Sequence, residues 1–430
     1  MADIKFVKYS AMNEAPLYKK PKIQGDRQRA INKVLHGTWL GVLEEKDNHY
    51  FVQTAGDDGW IHREHTSDHM GLKVFFIDVG QGDGILIEVA DKRILVDGGP
   101  NSSLKNYLTK WQFSYVLREN KPIHIDHVFI SHFDADHYEG LIDIFSDVRF
   151  TFGTVYHNGI ARFDDDKEDR PAEYNSKIGT KVGSGHDIFL TTSFNSIDDL
   201  KNLRDKGGFS ETYERFAGAV VTAHDSGRLR GFTRATHETR DLVIPTVQAE
   251  FKIEILGPVT SKINGDFAYE WFGRESKTIN GHSLVLKVTF GGIKILLGGD
   301  LNSRAERWLM EHYADSNPFE VDVAKSCHHG SSDFDVEFMK RINAYATVIS
   351  SGDNENHAHP RADAIGCAGK YSPATKPKVF STELARSINS AGEILFGMIN
   401  LRSNGSDIWM AQMKEAGGGA DIWDSYNVLE

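Results

Sequence analysis

Residues 124–140 read HIDHVFISHFDADHYEG. The apolar run 128–130 predicts a strand that ends at Ser131, and His132, Asp134, Asp136 and His137 follow at once. A strand that ends in a tight loop lets alternate side chains converge on one point. Imidazole with carboxylate is a donor set for zinc, manganese or iron. Gly140 and LIDIFSD then predict a helix. A loop that only capped this helix would not need two His and two Asp in that register.

The same logic recurs along the chain. Residues 73–100 (KVFFIDVGQGDGILIEVADKRILVDGGP) show strand patterns at 73–79, 84–89 and 93–96, with Asp91-Lys92 at a hairpin turn. They deliver Asp97-Gly98-Gly99-Pro100 into a loop where glycine allows positive φ. Residues 283–300 (SLVLKVTFGGIKILLGGD) predict two strands ending at Asp300. Residues 321–332 (VDVAKSCHHGSS) predict a strand followed by His328-His329-Gly330. Residues 346–360 (ATVISSGDNENHAHP) predict another, followed by His357, His359 and Pro360. Four strands that end in His or Asp at one rim point to a multi-metal site.

Composition narrows the partners. The 430 residues carry 49 Lys plus Arg and 61 Asp plus Glu, a net charge of −12. Basic and acidic residues balance over 1–70, so the excess acid lies after residue 70. A chain-wide basic footprint for nucleic acid is therefore absent, though a local groove is compatible with the sequence. The length predicts two to three units, or a large sandwich with an accessory domain. Cys327 and Cys367 cannot make a disulfide framework, and Cys327 reads as a small buried residue rather than a nucleophile. The N-terminus lacks a signal-peptide pattern, and no apolar run approaches the ~18–20 residues of a membrane span. The expectation is a cytoplasmic protein with no membrane partner.

As an ordered set these motifs resemble the metallo-β-lactamase superfamily, and within it the soluble hydrolase domain of the ComEC DNA-uptake proteins. The matching pieces are DVGQGD (78–83), LVDGG (95–99), SHFDADH (131–137), SLVL (283–286), LLGGD (296–300), HHGS (328–331) and the SSG…HP segment (350–360). H-x-D-x-D-H replaces the common H-x-H-x-D-H. The resemblance implies an α/β fold, an αββα sandwich over residues 71–430, with two divalent ions, zinc or manganese. By the family pattern His132 and Asp134 hold a first ion, Asp136 and His137 a second, Asp300 bridges, and His359 closes the second site. Of His328 and His329 one ligates metal and the other contacts phosphate or protonates the leaving group; which does which stays open. Asp136, His328 and His329 are thus the expected catalytic set. Asp78 and Asp97 are expected to orient ligand imidazoles, with Gln81 and Asp83 in a loop under the site.

The family's usual third His has no clean equivalent, and Asn280, His282 or His157 is left to complete the first site. Residues 1–70 resemble a bacterial SH3-like β-barrel, with Gly59-Trp60 as its signature, able to dock a protein or peptide partner. The stretch 151–249 is expected to be an insertion that shapes the substrate pocket. Its basic residues Arg228, Arg230, Arg234 and Arg240 are candidates for a phosphate, and its histidines 186, 224 and 237 are not expected to ligate. The leading reading is a metal-dependent phosphodiesterase, a nuclease on DNA or RNA. The alternatives are a hydrolase of cyclic nucleotides, lactones or β-lactams, and an effector module docked through the barrel.

Overall fold

The computed structural model describes all residues except 1–2, 10–13, 23–24, 186, 353–356, 384–386, 389–393, 396, 419 and 430. His186 and part of the 350–360 segment therefore lie outside the described residues.

Strand Leu72–Ile77 shows how the layers arise. Its residues alternate between two cores: Phe75 and Ile77 pack with Leu104, Tyr107 and Leu141 of flanking helices, while Leu72, Val74 and Phe76 pack against a second sheet. A strand covered on both faces reads as one continuous apolar run, hence KVFFI. The second sheet mirrors this. Leu286, Ile295 and Val323 face the first sheet, and Val285, Leu296 and Ala324 meet Leu309 and Phe338 of helices Ser303–His312 and Val336–Ile342. The result is a helix–sheet–sheet–helix sandwich.

The first sheet runs Leu229–Arg234, Phe150–His157, Ile123–Ile130, Lys92–Val96, Ile85–Val89, Leu72–Ile77, then three C-terminal strands beginning with Met398–Ser403. The second runs Leu242–Ile244, Phe251–Gly257, Val285–Phe290, Ile293–Leu297, Val323–Lys325, Ala346–Ile349 and Lys378–Ser381. Lys92–Val96 through Leu229–Arg234 pair in parallel, as do Ile293–Leu297 through Lys378–Ser381. Parallel strands present their carboxyl ends at one edge, the usual position of ligand sites in α/β sheets. The residues after Val96, Ile130, Leu297, Lys325 and Ile349 therefore gather at one rim.

The stretch 151–249 differs from the expected insertion. Strands Phe150–His157 and Leu229–Arg234 extend the first sheet, Leu242–Ile244 joins the second, and helix Glu211–Asp225 buries Phe216 and Val220 in the helix-side core. Parallel neighbours need a crossover of a dozen residues or more, and much of this segment is that crossover. What stands apart is a small sheet of Lys181–Ser184, Asp187–Leu190, Asp266–Glu270 and Ser261–Ile263. Arg228 is engaged by the chain itself: its guanidinium donates to the carbonyls of Phe145, Asp147 and Phe150 at 2.8, 3.2 and 3.3 Å, clasping the end of helix Ala135–Ser146. Arg234 lies over the Phe267 ring.

The N-terminal region is all-β. Strands Asp3–Val7, Trp39–Lys46, His49–Gln53, Gly59–His62 and Thr66–Ser67 form an antiparallel sheet with a small core of Val7, Leu17, Leu40, Val52 and Ile61. Trp60 is buried, its ring 5.5 Å from that of Phe51. The region is stitched to the sandwich by a ring stack: the Trp409 ring lies 5.5 Å from Tyr9 and 4.7 Å from His36, all three buried. Among the described residues no helix is long and apolar enough to cross a membrane. Trp409→Ala should cost about 3–5 kcal/mol, as large-to-small changes at buried aromatics do, and should quicken proteolysis within residues 1–70. Denaturant unfolding and limited digestion check this; unchanged digestion would mean that the stack does not hold the two parts together.

Candidate metal centre

The rim is assembled by short loops. Asp134 stands in extended backbone at the start of helix Ala135–Ser146, so Asp136 and His137 fall in its first turn. The loop DVGQGD runs directly against that turn. The Asp83 N–H donates to the Asp136 carbonyl at 3.3 Å, and a Cβ on Gly82 (φ +124) would strike the same carbonyl, so only glycine fits.

Four side chains meet here: Asp136, His137, Asp300 and His329, each offering an atom within 4.8 Å of the others. His137 Nε2 lies 3.2 Å from Asp300 Oδ1 and 3.2 Å from His329 Nε2. His329 Nε2 lies 3.1 Å from Asp300 Oδ2 and 3.3 Å from Asp136 Oδ2. His137 and His329 are fully buried.

The outer partners fix which ring nitrogens face inward. His329 Nδ1 lies 2.9 Å from the Ser350 carbonyl, which can only accept, so Nδ1 carries the proton. His137 Nδ1 donates to Asp97 Oδ2 at 2.8 Å. Asp97 also accepts from the Ser131 N–H and hydroxyl, both at 2.7 Å. In their neutral forms both imidazoles therefore aim an Nε2 lone pair at the cluster, the arrangement in which histidine binds metal. The donor set fits a divalent ion, and the buried Asp300 Oδ1 and His132 Nε2 have no hydrogen-bond partner.

The electrostatics follow. Burial opposes a charge on His137, but Asp300, Asp136 and Asp97 outweigh it and hold its pKa well above the ordinary value. His329 is likewise buried, yet Asp300 and Asp136 push it up to about 9. Asp136 and Asp300 are correspondingly held below the usual carboxylate range by the two imidazoles, against their own burial. His132 goes the other way: burial, then the neighbouring His137, lower it well below the ordinary value.

Other expected residues take different places. His132 lies beside His137, ring centres 4.2 Å apart and tilted by 47°, with Nε2 3.9 Å from Asp134 Oδ2. Asp134 pairs with Arg162, and in its satisfied amide orientation Asn280 donates to Asp134 Oδ2 at 2.8 Å. His328 is outside the cluster. Both His328 and His329 adopt left-handed backbone (φ +49 and +54), which splays the two rings 73° and 6.4 Å apart. His328 is left facing Asn280 (3.5 Å) and the His359 ring (5.6 Å). His359 is on the rim, 6.4 Å from the His329 ring, with Nδ1 3.3 Å from Gln81 Nε2. His282 turns away and donates to the Glu270 carbonyl at 2.7 Å, and burial lowers its pKa to about 4. His157 is buried between Phe194 and Phe232. Asp78 closes a turn, accepting from the Gly80 N–H at 3.0 Å.

Sequence reasoning missed two residues. Lys325, the last residue of its strand, is buried, with Nζ 2.5 Å from Asp83 Oδ2 and 3.8 Å from Asp300 Oδ1. A lysine closing an apolar strand, with one serine between it and Cys-His-His, was the available signal. Arg162 reaches Asp134 from 28 residues away and has no local signature.

The chain matches the family profile described as "Metallo-beta-lactamase superfamily" over residues 77–333. A search of curated proteins returns no match. Among solved structures it is similar to the metallo-beta-lactamase fold protein YhfI from Bacillus subtilis, at 13% identity and TM-score 0.34, covering 75% of this chain and 99% of that one. A diphosphatase from the PhnP family is similar at 13% identity and TM-score 0.29, covering 76% and 98%. Human tRNase Z, short form, is similar at 12% identity and TM-score 0.30, covering 64% and 91%. All three likenesses are distant. The profile match, however, spans more than half of the chain and ends just beyond the HHGS turn, and on that ground the chain belongs to the metallo-β-lactamase superfamily.

Proposed function

We propose that this protein is a divalent-metal-dependent phosphodiesterase acting on DNA or RNA. The observation that carries the metal-hydrolase reading is the pair of Nε2 lone pairs, from His137 and His329, aimed with the Asp136 and Asp300 oxygens at one buried point. Asp136, His137, Asp300 and His329 would hold the ion, and zinc or manganese suits that donor set. A second ion would need His132 and Asp134. Bound there, metal supplies Lewis-acid polarisation and a more acidic water, so no Ser or Cys nucleophile is required.

The chain's own rim favours an anionic substrate. Arg162, Asn280, His328 and His359 lie beside the cluster residues and one another. His328, half-buried and outside the ligand cluster, is placed to donate a proton to a leaving oxygen. The H-x-D-x-D-H order with HHGS supports a place in the ComEC-like branch. The buried Trp60 favours a structural part for the N-terminal region, read as SH3-like, over peptide docking. Two unpaired cysteines suit the cytoplasm.

Purified protein with manganese or zinc should hydrolyse at least one of linear DNA, circular DNA and RNA, and should leave nitrocefin intact. Turnover of nitrocefin with none of any phosphodiester would sink the reading. His329→Ala should lose metal and activity together. His328→Ala should keep its metal while turnover falls by about 10²–10⁴, the range for lost general acid catalysis; metal loss in that variant would reverse the two roles.

Protons and metal compete for the same nitrogens. In the metal-free protein the charged His329 imidazole contributes stability that is complete below the ordinary His value of 6.5 and is lost as pH rises through about 9. Metal affinity should run oppositely, rising with pH through about 9 as His329 gives up its proton, with proton release measurable by calorimetry in two buffers. Affinity independent of pH over that range would show that these histidines are not ligands.

A further inference from the structure

The first-ion position differs in kind from the four-residue cluster. Asp134 is committed at both oxygens. Arg162 Nη1 pairs with Oδ1 and also donates to the Phe133 carbonyl at 3.4 Å, and Asn280 donates to Oδ2 at 2.8 Å. The other donor on that side, His132, is fully buried with Nε2 unpartnered. His282, which could have closed the site, is spent on the Glu270 carbonyl. A divalent ion there would find two side chains besides the shared Asp300, enough for an open site, so the obstacle is not the number of donors. It would have to displace a guanidinium that cannot give up its proton, at a part-buried site where like charges repel strongly.

The charge count agrees. Asp134 and Arg162 form a neutral pair as they stand, and a second dication would leave that side with surplus positive charge. Arg162 and Asp134 are 30% and 27% exposed, so the pair is open to the rim rather than locked in the core.

We propose that the Arg162 guanidinium takes the place of the first metal ion, so that the protein works with a single divalent ion, held by Asp136, His137, Asp300 and His329. The proposal rests on the metal-hydrolase reading above. Arg162 then acts as a positioning residue. It neutralises Asp134, keeps the His132 side free of metal, and sets a guanidinium hydrogen-bond donor beside the bound ion where a phosphate oxygen would arrive. A planar guanidinium matches phosphate oxygens in a way a hydrated ion does not.

The full-length chain, stripped of metal, is reloaded with manganese, desalted and counted by elemental analysis, with electron paramagnetic resonance on the same samples. The wild type should hold one ion per chain with the spectrum of isolated manganese. Arg162→Gln, its fold checked by circular dichroism, should hold two, with a spin-coupled spectrum. Arg162→Gln combined with His132→Ala should return to one, and Arg162→Lys, which keeps the charge, should stay at one. Two ions in the wild type would overturn the proposal and leave the metal-hydrolase reading standing, as would a folded Arg162→Gln that still holds one. No bound ion in the wild type would sink that reading and the proposal with it. If Arg162→Gln does not fold, the wild-type count and spectrum alone decide.

Discussion

Two imidazole nitrogens face each other across 3.2 Å in the buried seam between the sheets. Neutral, their lone pairs would repel; charged, their charges would. The surrounding structure resolves this conflict. Asp136 and Asp300 bring negative charge to the inner edges of both rings, while Asp97 and the Ser350 carbonyl hold the outer edges. Each holder comes from the carboxyl end of a parallel strand or the loop after it, so the rim exists because the two parallel runs end on the same side. Lys325 completes the arrangement from beneath. Its buried ammonium pairs with Asp83, so that carboxylate is not left uncompensated beneath the cluster. Removing one partner of such a buried pair typically costs about 3–5 kcal/mol, because the other charge is left uncompensated.

The parts of this site legible in the sequence are those set by local chain geometry. A strand followed by His-x-Asp-x-Asp-His needs only the strand end and the first helical turn to bring Asp136 and His137 together. Asp300 and the HHG turn follow from the same rule. The division of labour within His328-His329 was not legible, because it turns on two successive residues in left-handed backbone. That conformation costs about 1–2 kcal/mol each for non-glycine residues, and no residue-type pattern announces it. Arg162 and Lys325 escaped for a different reason: their partners lie far away in sequence, and a single cation gives no periodicity. The crossover around helix Glu211–Asp225 is hard to read from sequence because strand Leu229–Arg234 (LRGFTR) carries too much polar character to resemble a core strand. It is an edge strand of the first sheet, where that composition is tolerated.

The charge balance of the cluster explains how one fold can tolerate both the free and the loaded site. Without metal, two carboxylates face two imidazoles whose pKa values are raised, and the four groups are close to neutral together. Were one divalent ion bound, as proposed, the imidazoles would give up their protons, and the same two carboxylates would balance the same two positive charges. One dication exchanges for two protons, and the net charge of the buried centre does not change. Burying an uncompensated charge is among the costliest events in a protein interior, so a site that exchanges at constant charge can empty and refill without stressing the sheets around it. A second dication has no pair of raised imidazoles to draw protons from. His132 is already neutral, and Asp134 is already balanced by Arg162. The asymmetry between the two halves of the H-x-D-x-D-H motif is therefore electrostatic before it is geometric.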